Sequence, residues 1–206
     1  MAVTFVHRAT LAVSLTALAF GTGPALAQDA AGPLALAKTR VSIAGSSNVH
    51  EYTASTTTAR LVRVQLAPGV APTLQALVAP GAIEAFEIAI PAATLSSEKD
   101  GLHKNMHKAL KVTEHKDITF RLGRLEAAAA AGGYRATGVL RVAGVERTTT
   151  FDVTVEQTGG TLVVRGKVPL LMTDFGIAPP KAMLGMLKTD PKVTVTFETV
   201  VSVPLT

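Results

Sequence analysis

The chain contains no cysteine and no tryptophan, and only two of its 206 residues are tyrosine. Without cysteine there is no disulfide staple, no thiolate metal ligand and no thiol nucleophile, so the folded chain must be stabilised by core burial. A bacterial lipid anchor on cysteine is excluded for the same reason. Aromatic residues make up only 4% of the chain. Single-stranded nucleic acid is held by bases stacking on aromatic side chains, and this chain has too few for such a platform. The formal charge of +5 is a mild excess, so no nucleic acid is expected as a partner. One long apolar run exists, Ala9 to Phe20, broken by Thr10, Ser14 and Thr16. It is shorter than the ~20 apolar residues a membrane-spanning helix needs.

That run has the three-part layout of an export signal. His7 and Arg8 precede it, Gly21 to Pro24 break it, and Ala25-Leu26-Ala27 forms a small-x-small cleavage site before Gln28. The expected organisation is a signal peptide over 1–27, a flexible Ala/Gly/Pro-rich leader over 28–39, and one domain over 40–206. Cleavage removes Arg8 and no acid, which lowers the formal charge from +5 to +4. The expected location is the periplasm.

From Arg40 onwards the dominant period is two. Phe86, Ile88 and Ile90 alternate, as do Ile118, Phe120 and Leu122, then Phe151, Val153 and Val155. Leu162, Val164, Val168 and Leu170 follow around Gly166, and Val193, Val195, Phe197, Val201 and Val203 share the last face. Alternation of this kind marks strands with one buried and one wet face. Gly132-Gly133, Ala143-Gly144 and Gly159-Gly160 supply hairpin chemistry between runs. The expectation is an all-β, antiparallel, lipocalin-like barrel of about eight strands with one or two short helices. Ala67 to Gly81, with three prolines, is expected to be a loop. Ala178 to Leu187, with Pro179, Pro180, Met183 and Met186, is expected to form a short apolar helix or lid.

The segment Gly101–Arg121, "GLHKNMHKALKVTEHKDITFR", holds three of the five histidines. At helical period Leu102, Met106, Ala109 and Leu110 form an apolar stripe, with Lys104, Lys108 and Lys111 opposite. His103 and His107 lie at i and i+4, between stripe and lysines.

The longer stretch "LSSEKDGLHKNMHKALKVTEHKDITFRL" resembles the central signature of the YceI-like family: a polar turn, Asn105 two residues before His107, a short helix, and a strand of the type P-x-I-T-F, here with His115 and Lys116 before Asp117 where the family often has the proline. "VSIAGSSNVHEYTA", "GVLRVAGVERTTTFDVTV", "VPLLMTDFGI" and "DPKVTVTFETV" are similar to that family's other segments, in the same order. The likeness runs from Arg40 to Val203. It implies a lipocalin-like barrel in the periplasm that holds a polyisoprenoid or similar apolar chain. Ala109 and Leu110 stand where the family often has paired aromatics. Together with the alternating faces, the resemblance nominates Phe86, Ile88, Met106, His107, Leu110, Phe120, Phe151, Phe175, Met183, Met186 and Phe197 as ligand-binding residues.

Other constellations stand beside it. His103, His107 and His115 could ligate a metal, with Glu98, Asp100 and Glu114 nearby, although flanking lysines repel a divalent ion. In the alternative, His107 hydrogen-bonds a loop while His103 and His115 are solvated. Ser46 or Ser47 with His50 could form a nucleophile pair, yet no strained G-x-S-x-G elbow is present and such neighbours usually cap one another. Asp174 and Gly176 of "TDFGI" are expected to shape a turn that aims Phe175 inward. The lysine run is either a solvated face or a basic rim that attracts an anionic surface or head group.

The favoured function is a non-enzymatic carrier for a polyisoprenoid or an isoprenoid quinone. The alternatives are a metal-binding or hydrolytic protein using the histidines, and a filled structural barrel. No cofactor or resident metal is expected. Transient contact with a membrane surface or a membrane redox protein is expected, and the oligomeric state is open, a homodimer included.

Overall fold

The computed structural model describes residues 33–182 and 187–203; the expected signal peptide over 1–27, Met183 and Met186 lie outside them. β1 (Ala35–Ser47), β2 (Glu51–Thr56), β3 (Arg60–Leu66), β4 (Ile83–Pro91), β5 (Asp117–Ala127), β6 (Gly133–Val142), β7 (Val145–Thr158), β8 (Thr161–Leu171), a two-residue β9 (Lys181–Ala182) and β10 (Leu187–Ser202) form one antiparallel sheet. Its order is β2-β1-β10-β8-β7-β6-β5-β4-β3, with β9 paired to β10. The lipocalin-like, nearly all-β architecture is as expected.

The strand count exceeds eight for a physical reason. β2 and β3 run in the same direction, separated only by Thr57–Ala59, and occupy the two opposite edges of the curled sheet. The chain itself therefore carries the sheet from one edge to the other. The seam is tied by an isolated antiparallel bridge, in which Ser55 N–H donates to Ser96 O at 2.8 Å and Ser96 N–H to Ser55 O at 3.0 Å. Beside it Thr94 Oγ1 donates to Pro91 O at 2.8 Å, which leaves the Thr56 hydroxyl to donate to Thr94 Oγ1 at 2.7 Å. Pairing or covering edges in this way removes an aggregation template.

Two of the hairpins are as short as their sequences require. Ala143 and Gly144 both have positive φ, the geometry of a type I′ turn, and join Val142 to Val145 directly. Gly159-Gly160 joins Thr158 to Thr161.

Two expectations need correction. The leader ends sooner than position 39: β1 already includes Ala35–Thr39, and Leu34 before it is buried. The 67–81 segment is not all loop. Thr73, its hydroxyl accepting from Ala76 N–H, starts a four-residue helix α1 (Leu74–Leu77). Leu77 of this helix is buried with Leu34, Leu162 and Val201, and so closes one end of the barrel. Of the second proline-rich segment, expected as a short apolar helix or lid, residues 183–186 lie outside the described residues, and the flanking Lys181–Ala182 pairs antiparallel with Leu187–Lys188.

At the other end lies α2 (Asp100–Ala109), preceded by a 3-10 turn over Ala92–Thr94. Its apolar stripe packs Met106, Ala109 and Leu110 against a cluster containing Leu95, Val142, Phe175 and Ile177. Between these two clusters the barrel is open inside.

Candidate functional site: an apolar cavity under the helix

The interior holds a cavity of about 510 Å³. Its walls come from every long strand except β3, with α2 and the Met172–Phe175 turn at one end. It reaches solvent between the β1–β2 turn and the first half of α2, where the exposed His50, Lys99, Gly101 and Asn105 line it.

Three phenylalanines form a row across the middle. Phe120 and Phe151 have ring centroids 5.3 Å apart, and Phe151 and Phe197 5.9 Å apart in an edge-on arrangement. They lie on β5, β7 and β10, while the intervening strands β6 and β8 contribute Gly138 and Gly166. A Cβ built on Gly166 would overlap the Phe197 ring, and one on Gly138 would overlap the Phe120 ring and the Arg121 carbonyl. Each of these two rings therefore lies down on a neighbouring strand that has no side chain in its way. Tyr52 does the same over its partner Gly45 at the mouth. Rings laid along the wall leave the lumen empty; rings standing upright would fill it. Burial raises the Tyr52 phenol above its ordinary value, and the nearby Asp190 carboxylate adds to the rise.

Of the nominated residues, Ile88, Met106, Leu110, Phe120, Phe151, Phe175 and Phe197 line the cavity. Phe86 does not: it shares the face of Ile88 and Ile90 but lies outside the lining set. His107 is likewise not part of the wall. Its Nε2 donates to the carbonyl of fully buried Leu95 at 2.8 Å, which pins α2 to the preceding segment. Met183 and Met186 lie outside the described residues. Phe175 is 4% exposed and belongs to both wall and core. The αL Gly176 that follows it terminates the 3-10 turn, as the sequence "TDFGI" suggested.

The three histidines do not converge. His103 lies against His107 with ring centroids 4.1 Å apart and the rings tilted, while His115 packs on Gly144. Both are half-buried rather than solvated. Among the described residues no group of three His, Cys, Asp or Glu side chains is placed to hold a metal ion. The Ser47 hydroxyl is occupied by the backbone of His50: it donates to His50 O at 2.9 Å and accepts from His50 N–H at 3.1 Å. This is a turn cap, not a nucleophile–base pair.

Lining residues that the alternation missed include Thr39 and Thr199, directly opposed on β1 and β10. Thr39 fell within the expected leader, and Thr199 interrupts an otherwise apolar face. The signal for both was their parity with Val41 and Phe197.

Fold and cavity together define an antiparallel, lipocalin-like barrel with an open apolar interior. The chain belongs to the YceI-like domain family, whose model matches residues 36–201. Similar solved structures include Burkholderia cenocepacia BcnA, 17% identical with a TM-score of 0.63, covering 80% of this chain and 96% of that one. A polyisoprenoid binding domain from Saccharophagus degradans, implicated in plant cell wall breakdown, is 13% identical with a TM-score of 0.56 and coverage of 84% and 99%. The Campylobacter jejuni YceI protein is 14% identical with a TM-score of 0.54 and coverage of 71% and 82%. At such identities the likeness is one of fold. No curated protein matches the chain in sequence.

Proposed function

We propose that this protein is an exported, periplasmic carrier that sequesters a long isoprenoid lipid in its barrel and performs no chemistry on it. The observation that carries the reading is the 510 Å³ cavity walled by aliphatic side chains and a row of three phenylalanines, two of them lying flat over strand glycines. Such a wall binds by burial, at about 0.8 kcal/mol per CH₂ removed from water. A volume of this size falls in the ordinary range for small-molecule pockets. The polyisoprenoid binding domain from Saccharophagus degradans shares the fold, which supports an isoprenoid as the occupant. A non-catalytic role is supported by the lining itself, whose titratable side chains His50, Tyr52 and Lys99 stand near the mouth without a nucleophile–base pair among them.

Loading requires contact with a lipid source. Lys104, Lys108 and Lys111 are exposed along α2 and at its end, and none of the described lysine side chains forms an ion pair. That basic face supports transient docking on an anionic membrane surface. The test of the carrier reading is native mass spectrometry of protein purified from its own host, followed by lipid extraction. One retained prenyl lipid per chain is the expected result. A reproducibly empty barrel, or a stoichiometric metal adduct, would overturn it.

A further inference from the structure

Polar side chains meet the cavity at two levels. Ser47, His50, Tyr52, Lys99, Asn105 and Thr189 belong to the mouth. The other level is the inner end, where Thr39 of β1 faces Thr199 of β10, 5% and 8% exposed. Towards the mouth the adjoining pair is Val41 with Phe197. In the opposite direction Val201, paired with Leu162, belongs to the cluster that closes the barrel beneath α1. The two threonines therefore sit at the floor of the cavity.

Thr39 Oγ1 is buried and has no hydrogen-bond partner, the one such side-chain atom among the described residues. Buried hydroxyls are nearly always paired, because an unpaired one loses its hydration without compensation. A valine would have nearly the same shape at no such cost. Thr39 lines the cavity, and a 120° step about χ1 moves its hydroxyl into the place the methyl group held, so the oxygen has more than one staggered position open to it. No titratable side chain lines the cavity at this level. A charged head group would lose its water there with no countercharge to replace it.

We propose that the floor is a hydrogen-bonding subsite for a neutral oxygen, so that the lipid enters head first. A ketone, quinone or alcohol oxygen meets the Thr39 hydroxyl beside Thr199, and the chain trails past Phe197, Phe151 and Phe120 to the mouth. This inference rests on the carrier reading and adds polarity and orientation to it. From Thr39 to Ser47, eight residues of strand at ~3.3 Å each give a path of about 26 Å, somewhat less along the axis of a tilted barrel.

The experiment titrates four probes of one prenyl chain length into the parent protein and Thr39→Val: a prenylated benzoquinone, a prenyl alcohol, a prenyl phosphate and the headless hydrocarbon. Thr39→Val should weaken the quinone, the alcohol or both by roughly five- to tenfold. It should leave the hydrocarbon within about twofold and raise the ligand-free melting temperature, because the unpaired hydroxyl is gone. Thr39→Ser, which keeps the oxygen, should keep the affinity of the oxygen-bearing probes. Equal affinities for all four probes in parent and Thr39→Val would overturn the subsite and leave the carrier standing. So would a phosphate that binds tightest and is indifferent to Thr39, since it would put the head at the basic mouth. If no probe binds the parent, both readings fall.

Discussion

Gly138 and Gly166 decide whether the barrel is hollow. Strand glycines weaken a sheet unless something uses the missing side chain, and here a ring occupies each gap. The two positions differ in what a methyl group would strike. At Gly166 it meets only the end of the Phe197 ring, which can swing into the lumen. At Gly138 it also meets the Arg121 carbonyl, which cannot move without its ladder. Gly166→Ala should therefore reduce prenyl-lipid affinity while costing less than ~1 kcal/mol of stability. Gly138→Ala should cost ~1–3 kcal/mol as overpacking. Paired calorimetric melting and lipid titration separate the two. Equal stability losses at both sites would mean that Phe197 is locked and the wall is not shaped by its glycines.

Two elements are held by contacts that can be removed singly. The helix α2 has Lys99 at its N-cap with no side-chain cap bond, so its position depends on packing and on His107. His107→Ala removes the donor to Leu95 O and should cost about 1 kcal/mol. The loss should appear in hydrogen exchange as faster opening of 100–110 rather than of the strands. Uniform acceleration across the barrel would contradict this local role. The edge strand β3 is tied across β4 to the start of β5 by a two-pronged pair, Arg60 with Asp117 at 2.6 and 2.9 Å. The Arg60 guanidinium holds the Asp117 carboxyl below its ordinary value. The folded-state pKa is thus below the unfolded one. The contribution is complete above the unfolded value and is lost as pH falls through the folded one. With Arg60 half exposed the pair is worth no more than ~1 kcal/mol. Asp117→Asn should destabilise by that amount near neutrality, and the difference from the parent should vanish in acid. A gap that persists unchanged at low pH would show that the pair contributes through packing alone.

At the scale of the whole molecule, alternation made the strands, their inward faces and the hairpins legible. Phe120, Phe151 and Phe197 followed from parity alone, and α2 from its Leu102, Met106, Ala109 and Leu110 stripe. The sequence was silent on features that depend on three-dimensional closure. That β2 and β3 lie at opposite edges is a matter of barrel curvature, and α1 is a single helical turn held by burial of Leu77 rather than by propensity. Whether the phenylalanines fill or line the interior depended on strands distant in sequence. Gly138 and Gly166 carried that information, but only once their neighbours were known. The proposed export signal is tested by N-terminal sequencing of the protein recovered from its host, which should begin at Gln28; an intact Met1 would overturn the proposed periplasmic location.

The central claim, a hollow apolar barrel that takes up a chain, is tested most directly by titrating a long prenyl alcohol into delipidated protein at several temperatures. Burial of the chain predicts one site per protein, a clearly negative heat-capacity change and a melting temperature that rises with free ligand. No saturable heat at any temperature, with an unmoved melting temperature at high ligand, would contradict the account and leave the barrel without a guest.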